Sequence, residues 1–189
     1  EENVVLDPNG SGTGIEVVTY STDYREVDAT VRVADNRVEG FGGVGIYVEQ
    51  SAYSTYYTGT PSLVADVVNN HVEDVGGYGI RVAGSGYAYD GAFYDVETTI
   101  TGNTLRDIGR DGIKSIYYVY GSNTGDPLGE FDGTISNNDL ADIGGRGIRV
   151  RLYGSDYGTS DGGYDATVDI LNNRINLAAG TGILIDHRT

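Results

Sequence analysis

The 189 residues contain no cysteine, no methionine and no tryptophan, and only three prolines. Without cysteine, no disulfide staples the fold and no thiol chemistry is available. The lack of methionine, even at the first position, leads us to expect a chain processed or excised from a longer one, with any leader already removed. No apolar run approaches the roughly 20 residues of a membrane-spanning helix, so no span is expected. Positive charge is also scarce. Lys and Arg total 12 against 28 Asp and Glu, giving a formal net charge of −16. Lys114 is the sole lysine. Bulk-charge binding of nucleic acid is thereby excluded. An acidic, lysine-poor surface is the kind that stays hydrated and screened in a salt-rich environment, and a halophilic source is expected. What the chain has instead is 30 Gly and 16 Tyr.

The dominant feature is an internal repeat of about 34 residues. Its clearest copies are "NNHVEDVGGYGIRV" at 69–82 and "NNDLADIGGRGIRV" at 137–150. Aligned on one Asn per unit, the register runs through Asn36, Asn70, Asn103, Asn138 and Asn173. Three residues before each stands Val or Ile: Val33, Val67, Ile100, Ile135, Ile170. Further on, a Gly–Ile pair recurs at Gly45–Ile46, Gly79–Ile80, Gly112–Ile113, Gly147–Ile148 and Gly182–Ile183. A degenerate further unit opens the chain at Gly14–Ile15. Apolar and polar residues alternate with period 2, and no segment carries a 3.6-residue stripe. The pieces are therefore strands, and short strands with fixed turns and glycines, repeated, make a solenoid.

The motif N-x-[VIL]…G-I-x-[VI], seen in "NNHVEDVGGYGIRV", resembles the coil of right-handed parallel β-helix proteins of the pectate-lyase-like kind. The resemblance covers nearly the whole chain. It implies an all-β, right-handed parallel β-helix of about six coils, 1–189 forming a single domain. The residues before the Asn are then the second strand of a coil, those after it the third, and "GIxV" the first strand of the next. The Asn is expected at the tight bend, where it tolerates left-handed backbone and can bond to its stacked neighbours. The glycine lets the backbone turn where a Cβ would clash.

Length variation falls after "GIxV", and this corner holds Tyr53, Tyr87, Tyr117, Tyr118, Tyr120 and Tyr153 among others. Long loops stacked at one corner of a rigid scaffold are a usual seat of function. Two readings of the tyrosines stand open: a sugar-stacking wall, or rings that cover one another.

Alternation sorts outward from inward residues on the "GIxV" strand. One outward row reads Glu16, Tyr47, Arg81, Lys114, Arg149, Leu184; the next reads Glu49, Ala83, Ile116, Arg151, Asp186. The preceding turn adds Arg110, Asp111 and Arg146. Arg81, Arg110, Lys114, Arg146, Arg149 and Arg151 are half of all the basic residues, gathered on one face. Like charges on adjacent rungs repel unless an anion compensates. Asp90, Asp95, Asp126, Asp132, Asp156, Asp161 and Asp165 offer internal compensation; a polyanionic ligand is the alternative.

In the resembled family this face is the polysaccharide cleft, and its lyases use Arg or Lys both as base and to hold uronate carboxylates. The resemblance thus implies a secreted or cell-surface module directed at an acidic, uronate-type polysaccharide. Arg81, Arg110, Arg146, Arg151, Tyr47, Tyr118 and Tyr153 would bind substrate. Lys114, Arg149 and Asp111 would be the catalytic candidates, and whether chemistry occurs stays open. The family's calcium-holding carboxylates and its Gly-His-Gly set are not reproduced here. The loop "GSDYGTSDGGYD" nonetheless spaces Asp156, Asp161 and Asp165 as Ca²⁺ ligands or as ordinary turn residues. No capping helix is legible at either end, which leaves a second function class: a self-assembling structural solenoid joined through its open ends.

Overall fold

The computed structural model describes residues 3–21, 28–54, 62–89, 94–122, 129–156 and 164–188. Among the described residues, seventeen strands alternate among three parallel sheets, and none of these residues is helical. The strands that follow the Asn, β1 (Asn3–Gly10), β4 (Asn36–Phe41), β7 (His71–Val75), β10 (Thr104–Ile108), β13 (Asp139–Ile143) and β16 (Arg174–Ala178), stack in that order as sheet A. The "GIxV" strands make sheet B: β2 (Ile15–Ser21), β5 (Ile46–Ser54), β8 (Ile80–Tyr89), β11 (Ile113–Ser122), β14 (Ile148–Asp156) and β17 (Ile183–Arg188). Those before the Asn make sheet C: β3 (Ala29–Ala34), β6 (Ser62–Val68), β9 (Tyr94–Thr101), β12 (Gly129–Ser136) and β15 (Tyr164–Leu171). Each strand pairs with its own equivalent one repeat away, so the chain is a parallel β-solenoid.

The expected coil count is slightly too high. Among the described residues, buried apolar side chains run from Val31 to Leu152, across about four turns. Val4, Leu6 and Val18 at one end, and Leu171, Leu177, Ile183 and Ile185 at the other, are exposed. Inside the closed turns Ile46, Ile80, Ile113 and Ile148 form one fully buried column in register. Each such side chain contributes about 2 kcal/mol by leaving water.

The Asn column is a continuous hydrogen-bonded ladder. Asn70 donates through its backbone N–H (2.9 Å) and its amide Nδ2 (3.0 Å) to Asn103 Oδ1, and Asn103 repeats both bonds to Asn138. Asn3 joins the ladder by donating to Asn36 at 3.0 Å. Asn3 is thus a sixth member of the ladder. The left-handed backbone, however, belongs to the residue before the ladder Asn: Asp35 (φ 59), Asn69 (φ 55), Gly102 (φ 68), Asn137 (φ 55) and Asn172 (φ 55). The ladder residue itself is turned inward and buried, which frees the preceding position to make the bend. A second left-handed column, Gly40, Asp74, Asp107, Asp142 and Leu177, closes the other end of the sheet A strands.

The glycine before each Ile is required by close approach. A Cβ on Gly79 would lie 2.5 Å from Leu105 Cδ2 and 2.8 Å from the Gly112 carbonyl oxygen. The backbone therefore presses against the next turn with no room for a side chain, and this fixes the corner from which the sheet B strand departs.

Part of what the sequence marks as loop is strand. β8 and β11 run on to Tyr89 and Ser122, so Tyr87, Tyr117, Tyr118, Tyr120 and Tyr153 sit in register on sheet B. Tyr117 points inward. It pairs across the sheet with Gly84, whose missing side chain makes room for the ring, and packs against Phe131 at 3.8 Å between centroids with the rings tilted by 31°. Its hydroxyl is hydrogen-bonded to Thr98.

Candidate functional site

Two columns on sheet B meet at a corner. Two residues before each buried Ile, the stacked turns carry Tyr78, Asp111 and Arg146; the backbone N–H groups of Gly45, Gly79 and Gly112 donate to the carbonyls of Tyr78 (2.9 Å), Asp111 (3.2 Å) and Arg146 (2.9 Å) and fix the stacking. One residue after the Ile, strand pairing aligns Tyr47, Arg81, Lys114, Arg149 and Leu184 in one outward row. The expected row is therefore real, and the register brings Arg81, Lys114 and Arg149 together.

The two columns interlock by one repeated step. A strand cation reaches back to the corner residue of the preceding coil. Lys114 Nζ donates to Tyr78 Oη at 3.0 Å, with its ammonium 4.2 Å from the ring centroid. Arg149 Nη1 lies 3.5 Å from Asp111 Oδ2. Arg146 closes Asp111 from the other side, its backbone N–H donating to Oδ1 at 2.9 Å and its guanidinium at 3.7 Å. For Arg81 the same step leads to Val44, which has no acceptor side chain. Its guanidinium instead lies 4.9 Å from the Tyr47 ring centroid. Arg110 is exposed, 5.6 Å from the Tyr78 centroid.

The electrostatics are uneven. Asp111 is 4% exposed and Lys114 8%. Among the described residues, Arg81, Arg110 and Lys114 have no carboxylate at ion-pair distance; Asp111 serves Arg146 and Arg149, and Asp186 serves Arg151 at 3.5 Å and Arg188 at 2.9 Å. Of these cations Arg146 and Arg149 close on Asp111, while Arg81, Arg110 and Lys114 lie against tyrosine rings. The Nε atoms of Arg81, Arg146, Arg149 and Arg151 are buried without a hydrogen-bond partner.

The expected internal compensation takes a different form. Asp95, Asp132 and Asp165 lie on sheet C, where Asp95, Glu130 and Asp165 are in register with one another. They make no ion pair with the basic row. Asp90, Asp126 and Asp161 lie outside the described residues, as does the side chain of Asp156. The Ca²⁺ reading of Asp156, Asp161 and Asp165 therefore rests mostly on positions outside the described residues. Among the described residues, no three His, Cys, Asp or Glu side chains converge as metal ligands.

Beside the basic row, Tyr118 and Tyr153 stack at 5.0 Å and 6°, and Tyr87 and Tyr120 at 4.8 Å and 16°. Their faces are turned to one another, so they present ring edges and hydroxyls rather than open faces. For these four rings, mutual cover is what the geometry supports. Tyr47 donates to Glu49; burial first, then that bond, pushes its hydroxyl up to about 12. Between the rows lie Ala83 and Ile116, the latter outward yet only 4% exposed, so side chains lie across this face.

Tyr78 is the residue that the outward-row reading missed. Its hydroxyl is held below the usual tyrosine value chiefly by the hydrogen bond from Lys114, with Arg110 adding to it and burial opposing. Its signal was present in "GGYGI": it occupies the turn position of Asp111 and Arg146 one coil earlier. His71, on sheet A, pairs with Glu73 at 3.0 Å, far from this face in the coil. No described helix is long and apolar enough to cross a membrane. Comparison with protein-family models, curated proteins and solved structures yields no match.

Proposed function

We propose that this β-solenoid is an extracytoplasmic module that binds an acidic, uronate-type polysaccharide along the basic face of sheet B. One observation carries the reading: in a chain of net charge −16, Arg81, Lys114 and Arg149 align on adjacent rungs, and among the described residues Arg81 and Lys114 have no carboxylate at ion-pair distance. Such a concentration is electrostatically unfavourable until an anion joins it. Rungs about 4.8 Å apart suit an extended polyanion lying along the axis. Arginine favours carboxylate because its planar fork donates two parallel bonds. Tyr118, Tyr120 and Tyr153 would offer hydroxyl edges to sugar hydroxyls. The sequence likeness to pectate-lyase-like β-helices supports the same face and substrate class, and with them a secreted or cell-surface setting.

The test is titration of the protein with polygalacturonate and with uncharged dextran of similar length. Binding of the acidic polymer alone is the expected result; equal binding of both, or of neither, would overturn the reading.

A further inference from the structure

We propose that a single halide ion is bound among Arg81, Lys114 and Arg149, on three consecutive rungs of sheet B. The site uses cations of the basic row but does not depend on the acidic-glycan reading, which concerns a polymer lying over them.

Burial sets this row apart from an ordinary charged surface. Lys114 is 8% exposed, and the side chain of Arg149 is 12% exposed. Charges removed from water to that extent are normally paired. An ammonium has three N–H donors. Among the described residues Lys114 gives a hydrogen bond to the neutral Tyr78 hydroxyl at 3.0 Å and lies 4.2 Å from the centroid of that ring. Neither contact supplies a negative charge. Arg149 shares the Asp111 carboxylate with Arg146, at 3.5 and 3.7 Å. Arg81 has no carboxylate at ion-pair distance among the described residues. The Nε atoms of Arg81 and Arg149 are buried without a hydrogen-bond partner. Three cations in a row thus have a share in one negative charge.

Strand pairing holds the three in register, with rungs about 4.8 Å apart. An anion beside the central ammonium of Lys114 is therefore within reach of both flanking guanidinium groups, and one ion serves the row. The surroundings select its kind. Ile116, the next outward residue of β11, is only 4% exposed, so side chains close over the space around Lys114. A carboxylate or a tetrahedral oxyanion brings several oxygens that each need a donor. A chloride or bromide ion is a compact sphere without directional demand, and it gives up its water more readily than fluoride. Asp111 cannot take this part, because Arg146 holds it from the other side through a backbone N–H at 2.9 Å. Tyr78 would sense the ion. Its hydroxyl is held below the usual tyrosine value chiefly by the Lys114 hydrogen bond, so a halide that offsets the charge of Lys114 raises it.

The experiment uses the full chain in sodium gluconate buffer, with sodium chloride, bromide, fluoride or sulfate added at matched ionic strength. Chloride and bromide should give a saturating rise in melting temperature of about 3 °C or more, and fluoride none. The chlorine magnetic resonance line should broaden with the protein and narrow again when bromide is added. Lys114→Met keeps most of the side-chain stem and should lose both responses. Arg81→Gln should need at least about tenfold more halide for the same rise. An equal rise with fluoride, a response to sulfate alone, a halide response unchanged in Lys114→Met or in Arg81→Gln, or no response at all would each overturn the proposal. Polygalacturonate titrated in the same gluconate buffer keeps the two readings apart. Polymer binding without a halide response overturns only the halide site, and a halide response without polymer binding overturns only the acidic-glycan reading.

Discussion

The Asp111 carboxylate of one coil lies 3.5 Å from the Arg149 guanidinium of the next and 3.7 Å from that of Arg146. It holds two arginines in place while leaving Arg81, Arg110 and Lys114 uncompensated. Removing its charge tests that role. Asp111→Asn keeps the shape and the acceptor for the Arg146 N–H but leaves Arg149 facing a neutral group. Stability should fall by roughly 3 kcal/mol, the order seen when one partner of a buried pair is removed. Urea unfolding measures it, and a change below about 0.5 kcal/mol would mean that the pair contributes little.

The Asn ladder should be the most sensitive polar element of the scaffold. Asn103 is fully buried; its Oδ1 accepts two bonds from Asn70 and its Nδ2 donates to the Val67 carbonyl at 2.9 Å. Asn103→Ala strands those groups, at about 1–3 kcal/mol each. A drop of several kcal/mol in denaturant titration is expected, much larger than for Asn69→Ala at the exposed bend.

Alkaline pH should loosen the core through Tyr117. Burial pushes its hydroxyl from 10.0 up to about 12, outweighing its bonds to Ser115 and Thr98. The folded state thus prefers the neutral phenol. That preference is fully present below pH 10 and is lost as pH rises through 12, amounting to roughly 2–3 kcal/mol. Tyr78, whose value is lowered, acts with the opposite sign: its contribution appears only as the pH rises above its folded value. Thermal melts between pH 9 and 12 should show a decline that Tyr117→Phe flattens.

Leu177 occupies a left-handed position (φ 56) that Gly40, Asp74, Asp107 and Asp142 fill in the other coils. It is 68% exposed, so its side chain gains little by packing. Leu177→Gly should raise stability by about 1 kcal/mol, the strain that a Cβ brings to left-handed backbone. An unchanged or lower melting temperature would count against that account of the second bend.

The parts of the fold that repeat were legible in the sequence; the parts that depend on one neighbour were not. Ile113 and Gly112 recur at every coil, so their role follows from periodicity alone. The basic row followed too, because strand alternation fixes which side Arg81, Lys114 and Arg149 face. Tyr117 was read as part of a solvent wall because nothing local says that β11 continues past Ile116, or that Gly84 leaves space inside the turn. The bend was assigned to Asn70 rather than Asn69 because adjacent Asn residues are equivalent until one is seen to be buried. Tyr78 escaped because its importance arises only from Lys114, one coil later, reaching back to it. Likewise Asp186, rather than a loop Asp, pairs with Arg151, since the register of β14 with β17 decides it.

The central claim is that the uncompensated cations of sheet B form an anion-binding row, and Arg81→Ala tests it most directly. Arg81 has no ion-pair partner among the described residues, so its removal should leave the melting temperature nearly unchanged. The account predicts that polygalacturonate binding, measured by calorimetry, weakens by about tenfold or more in this variant, the loss of roughly 1.4 kcal/mol expected when one charged hydrogen-bonding group is removed. Wild-type affinity in Arg81→Ala, with the fold intact, would contradict it.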